Sequence, residues 1–131
     1  MTEQGAAALD TALAYHRAWT NGDFDTAMTY IADDIVCLAP SGRHDGAKEF
    51  RAFMEPFTRI LTRYELLAAY GDNATAVLVY DTDTVPVNGA PGAECVQVVD
   101  GRIAHMRIIF DRAPFDAARR RAAETASADD A

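Results

Sequence analysis

At 131 residues, half of them hydrophobic and 24% charged, the chain fits a single domain with enough apolar material for a real core. Its formal net charge of −8 argues against nucleic acid or an anionic membrane as partner, because both call for a basic surface. No stretch approaches the length of a membrane span, the opening MTEQGAAALD lacks the pattern of a secretory signal, and a cytoplasmic location is expected.

Residues 6–20 carry Leu9, Ala12, Leu13, His16 and Trp19 at helical spacing, with Tyr15 beside the stripe. Asn21-Gly22 is a helix stop, and Asp23 can cap a second short helix whose apolar face uses Phe24, Ala27, Met28 and Ile31. Residues 35–39 (IVCLA) read as a short strand, and residues 40–46 as a loop. A third helix is predicted over residues 47–61, with Phe50, Phe53, Met54, Phe57 and Leu61 turned to the core and Pro56 expected to kink or divide it.

From Arg63 the period changes from helical to alternating. Residues 64–70, 74–87, 93–99 and 102–110 read as four strands, the last two joined by Asp100-Gly101, a strong tight-hairpin signal. Pro86 falls late in its strand, where a lost donor costs little. A last helix is predicted over residues 115–123, followed by a small, polar and disordered tail at 124–131, so that residues 1–123 form the domain. Helices followed by a meander of strands is the α+β pattern, and a curved antiparallel sheet wrapped around about three N-terminal helices leaves a space for a ligand where they diverge.

The strand AVLVYDTDT places Val77, Val79, Asp81 and Asp83 on one face and Leu78, Tyr80, Thr82 and Thr84 on the other. The two aspartates either point to water or line a cavity. In a cavity their mutual repulsion would raise at least one pKa and create a group that exchanges protons near neutrality. Cys37 and Cys95 lack metal-ligand spacing and are expected to be buried free thiols, and His16, His44 and His105 form no zinc pattern. With no phosphate-cradling glycine loop or dinucleotide fingerprint either, no metal and no organic cofactor is expected.

The elements Tyr15-x6-Gly22-Asp23, Tyr30-Ile31-Ala32-Asp33-Asp34, Gly42-x3-Gly46, Asp100-Gly101-Arg102-Ile103 and Ile109-Phe110-Asp111 together resemble the nuclear transport factor 2-like fold, in its SnoaL-like (polyketide cyclase-like) branch. The resemblance covers residues 6–118. It implies a cone-shaped α+β fold with a deep pocket, commonly dimeric through the sheet. Relatives include ketosteroid isomerases, epoxide hydrolases, polyketide cyclases, dehydratases and non-catalytic binders, so fold alone does not set function. By correspondence Tyr15 falls where ketosteroid isomerases place their oxyanion tyrosine and Glu94 where they place a second acid, but Ala39 stands at the position of their general base. Against the epoxide hydrolases, Cys37, Ala39, Ile108 and Asp81 replace the family's polar residues, and only Asp83 matches.

The same correspondence turns Asp81, Asp83 and Glu94 inward, together with Met106, Ile108 and Phe110, and leaves Tyr80, His105, Arg107 and Ile109 on an outer face suited to a homodimer. The resulting expectation is an acid–base site of Asp83, Asp81, Glu94 and Tyr15. Trp19, Val79, Met106, Ile108, Phe110 and His44 would contact a small apolar or polycyclic ligand. Two readings follow: a cofactor-independent isomerase, cyclase, dehydratase or hydrolase, or a non-catalytic binding or scaffold protein with a degenerate site.

Overall fold

Local signals set the ends of the first elements. In the computed structural model, which describes residues 5–129, helix α1 spans Ala7–Thr20 and stops at Asn21-Gly22, where Gly22 takes a positive φ of 79°. Asp23 caps the short helix α2, Phe24–Met28, by accepting from Thr26 N at 3.1 Å. The start of α1 has no cap of its own. Asn73 Oδ1 accepts from Ala7 N and the Asp72 carbonyl from Ala8 N, each at 3.0 Å, so a distant turn closes the helix.

Strand β1, Ile31–Ala39, begins earlier than its apolar run suggests, because Ile31 opens the strand instead of completing the face of α2. A hairpin through Pro40-Ser41 leads into β2, Gly42–Asp45, where a loop is expected from sequence. Helix α3, Ala47–Ile60, starts beside Glu49, whose carboxylate accepts from Asp45 N at 2.8 Å, and it contains Pro56 without being divided.

The remaining strands are β3 (Leu61–Gly71), β4 (Thr75–Thr84), β5 (Ala90–Val99) and β6 (Arg102–Phe110), in a six-stranded sheet of order β2-β1-β6-β5-β4-β3. The sheet is mixed: β1 runs parallel to β6, whereas the expectation from sequence was antiparallel throughout. The β5–β6 hairpin turns on Asp100 and Gly101, both at positive φ (53° and 78°), as a tight two-residue turn requires. Pro86 lies beyond β4 in a turn held by Thr84 N donating to the Val87 carbonyl at 2.7 Å.

Helix α4 runs Ala113–Asp129, well past the predicted 115–123, so residues 124–129 are helical where a disordered tail was expected. The last part of that expectation, residues 130–131, lies outside the described residues. α1 and α3 pack on one face of the sheet, with α2 against both helices, around Tyr15, Trp19, Phe50, Ile31, Ile35, Leu78, Ile103 and Met106, all essentially buried. The architecture is α+β.

Candidate functional site

The faces of β4 come first, because they decide which polar groups reach the interior. Ala76, Leu78, Tyr80, Thr82 and Thr84 are buried, whereas Val77 and Val79 are exposed and Asp81 and Asp83 half-buried on the opposite side. The inward placement expected for Val79, Asp81 and Asp83 is therefore reversed, and so is the outward placement of Tyr80. The physical reason is desolvation. Burying two carboxylates on one face would cost several kcal/mol each (roughly, after relaxation). The two threonines instead bury their hydroxyls at little cost by donating to the Ala90 and Val87 carbonyls, at 2.8 and 2.9 Å.

On the outer face Asp83 has a structural set of partners. Its Oδ2 accepts from Arg63 Nε and its Oδ1 from Gly89 N, both at 2.7 Å. The Arg63 guanidinium and the Gly89 amide hold its carboxyl below the usual range, opposite to what a general base at neutral pH needs. Asp81 sits opposite Glu65 and Pro91, away from the interior.

Glu94, in contrast, points inward as expected and is 1% exposed. It pairs with Leu78 across β4–β5, and its Oε2 accepts from Tyr80 Oη at 2.7 Å. Its second neighbour is His16, whose Nε2 lies 3.3 Å from the same oxygen, a contact that becomes an ion pair when the imidazole is protonated. The other ring nitrogen, His16 Nδ1, shares a hydrogen bond with Tyr64 Oη at 2.8 Å. Burial pushes the Glu94 carboxyl up, but the nearby His16 imidazole and the Tyr80 hydroxyl outweigh it and leave the group below its ordinary value. Burial and the Glu94 charge together push the Tyr80 and Tyr15 phenols well up. The chain Tyr64–His16–Glu94–Tyr80 is thus a buried polar row crossing the core from β3 to α1 to β5 to β4.

Sequence reasoning discounted His16, although its place inside the apolar stripe of α1 was the available signal. Tyr15 and Trp19 are buried as well, and neither Tyr15 Oη nor Trp19 Nε1 has a partner among the described residues. Cys37 is buried beside Tyr15 and Glu94, and its thiol is pushed up to about 12 by burial and the Glu94 charge. Cys95, expected to be buried, is exposed on the outer face.

Next to this row lies a cavity of about 340 Å³, within the range of about 300–1,000 Å³ of small-molecule sites. Phe53, Met54, Pro56, Phe57 and Ile60 of α3 form one wall, Ile108 and Phe110 of β6 another, and Phe115 of α4 a third. Tyr80, Thr82, Ala90, Pro91 and Gly92 close it on the sheet side. Gly92 sits opposite Tyr80, and a Cβ built there would lie 2.8 Å from Tyr80 Cε2 and 3.2 Å from its Oη. The bare strand position lets the phenol lie flat over it at the cavity wall.

Of the expected ligand contacts, Ile108 and Phe110 line the cavity. Met106 and Trp19 are buried in the core instead, Trp19 with its ring against Phe57 at 5.9 Å and Tyr80 at 6.3 Å. His44 stacks on the outside of Phe53, ring centroids 4.0 Å apart, and is not part of the wall.

Residues 12–106 match the model of the SnoaL-like domain. The chain belongs to that family. Among solved structures, a protein from Kribbella flavida DSM 17836 is 64% identical, with 90% of this chain and 98% of that one covered and a TM-score of 0.87. A putative polyketide cyclase from Sinorhizobium meliloti is 22% identical over 76% of this chain and 94% of that one, TM-score 0.67. A steroid delta-isomerase from Pseudomonas aeruginosa is 16% identical over 97% and 99%, TM-score 0.73. At those identities the last two establish a shared NTF2-like fold and nothing about chemistry. No curated protein matches the sequence. Among the described residues no helix is long and apolar enough to cross a membrane, and no His, Cys, Asp and Glu side chains group as metal ligands would.

Proposed function

We propose that this SnoaL-like protein binds a small, largely apolar molecule in the α3–β4–β6–α4 cavity, oriented by Tyr80. The observation that carries the reading is the position of Tyr80: it is the wall residue that hydrogen-bonds directly to the buried Glu94–His16 pair. Tyr80 donates its proton to Glu94 and Thr82 donates its own to Ala90, so both oxygens are left as acceptors. A ligand hydroxyl, phenol or enol fits them better than a carbonyl does.

Acid–base turnover is the second reading, favoured by the same row. A ligand O–H proton passing to Tyr80 Oη, as the Tyr80 proton moves to Glu94 Oε2, would leave an enolate or phenolate on the ligand and a neutral acid at Glu94. A phenol or enol is a far weaker acid than a carboxylic acid, so that transfer is uphill, and binding is the better supported of the two. The deciding experiment is calorimetric titration with 2-naphthol and with naphthalene. Wild type should prefer 2-naphthol by about tenfold, the scale of one net hydrogen bond in a dry site. Tyr80→Phe should remove most of that preference while keeping naphthalene binding. Equal affinity for the two compounds in wild type would overturn the reading.

Two further parts of the proposal concern assembly and location. The outer sheet face brings Ala68, Tyr70, Val77, Val79, Ala93 and Ile109 into neighbouring register, an exposed apolar patch suited to a second copy of the chain. Sedimentation should give a homodimer, and a monomer at tens of micromolar (roughly the range where weak interfaces dissociate) would count against it. Free thiols at Cys37 and Cys95 suit a reducing, cytoplasmic setting.

A further inference from the structure

The cavity wall is largely apolar, with Tyr80 and Thr82 on the sheet side as uncharged polar exceptions. Its charged lining residues are Arg112 and Arg119, both cationic, in a chain whose net charge is −8. Arg112 stands at the end of β6 just before α4, and Arg119 lies two turns into that helix. Phe115, between them, holds this stretch of α4 against the cavity through edge contact with Phe110 at 5.8 Å and a tilted contact with Phe57 at 6.5 Å. The two guanidinium groups thus share one rim with an aromatic anchor.

Their existing partners do not exhaust them. Arg112 Nη1 donates to the Pro40 carbonyl at 3.3 Å, and its Nε lies 3.7 Å from Asp116 Oδ2. Arg119 Nη2 donates to the other oxygen of Asp116. Most of the N–H donors of both groups have no partner among the described residues. Asp116 is already shared between the two arginines, and Asp111, the other nearby carboxylate, accepts from Ala113 N at 2.9 Å at the start of α4. Neither acid belongs to the cavity wall. A positive, donor-rich rim over an acceptor-bearing apolar floor sorts ligands by polarity from end to end.

We infer that the ligand is an amphipathic monocarboxylate: an apolar, ring-containing body in the cavity with its carboxylate between Arg112 and Arg119 at the mouth. Planar guanidinium groups match a carboxylate bidentately. The whole-chain charge repels anions, so local donors must supply the recognition. The inference rests on the ligand reading of the same cavity and adds the class of head group.

Calorimetric titration of 2-naphthoate and 2-naphthamide against wild type, Arg112→Gln, Arg119→Gln and the double variant tests it. Both arginines are well exposed, with side chains 47% and 67% accessible, so the variants should fold; circular dichroism checks this. Wild type should bind the acid about tenfold more tightly than the amide. Each single variant should lose part of that preference, and the double variant should bind the two within about twofold while its amide affinity stays unchanged. Equal binding of acid and amide by wild type, or a preference that survives the double substitution, overturns the head-group inference and leaves the cavity reading standing. Failure of both compounds to bind overturns both together.

Discussion

Replacing Gly92 by alanine should destabilise the protein by pushing Tyr80 off its place over β5. The added Cβ would lie 2.8 Å from Tyr80 Cε2 and 3.0 Å from Cζ, and ordinary contact begins near 3.4 Å, so the ring must retreat by about 0.6 Å. The ring borders the cavity on one side but is only 6% exposed, and the rings of His16 and Tyr64, centroids 5.3 Å away, resist its movement across the core. Retreat from β5 also lengthens the 2.7 Å hydrogen bond to Glu94, which β5 carries. Overpacking of this kind costs about 1–3 kcal/mol, and weakening a bond to a charged acceptor adds to it. Removing glycine from a strand returns about 0.5–1 kcal/mol through the unfolded chain. The net loss is about 1–2 kcal/mol, or about 3–12 °C in Tm for a chain of this length.

Thermal and urea melts of Gly92→Ala measure the loss, and a double-mutant cycle locates its origin. Tyr80→Leu lacks the ring atoms that clash, so Gly92→Ala in that background should be neutral or slightly stabilising, a coupling of at least about 1 kcal/mol. A Gly92→Ala protein as stable as wild type, or additive effects in the cycle, would refute the placement of the phenol over Gly92.

The other predictions concern charge. Asp83→Ala should lower the urea midpoint only modestly, through the lost Arg63 and Gly89 contacts, and leave 2-naphthol affinity within about twofold; a large loss of binding would restore Asp83 to the site. Asp72, held low by the Thr75 and Ala74 amides, and Asp83 and Glu94, also held low, contribute stability that is fully present above the unfolded carboxylate range. Urea midpoints should therefore fall as pH drops below about 4, toward the folded values. The Tyr15, Tyr80 and Cys37 groups are raised in the fold, so their contribution is full below the unfolded values and declines as pH climbs above about 9. Midpoints that stay level to pH 11 would contradict the burial of those three groups.

What the sequence by itself determined is the part written in short-range chemistry. Asn21-Gly22 ends α1, Asp23 caps α2 and Asp100-Gly101 turns the last hairpin, because each depends on a few neighbouring dihedrals and one or two local hydrogen bonds. The alternation in β6 was equally legible: His105, Arg107 and Ile109 against Met106, Ile108 and Phe110 leaves little choice of inner face. In β4 it could not choose, since from Val77 to Thr84 each face carries two apolar and two polar residues. Tertiary structure decided that case by cost: threonine hydroxyls find carbonyls inside, and aspartates find Arg63 and the Gly89 amide outside. The same limit hid the polar row. His16 and Glu94 are 78 positions apart, and only the packing of α1 onto β5 brings the imidazole and the carboxylate within 3.3 Å in a medium dry enough for the contact to matter. In α4 only the seating was a tertiary outcome: Phe115 supplies the aromatic contact that holds its first turns beside the cavity, while the exposed, alanine- and arginine-rich continuation past residue 123 follows local helix propensity.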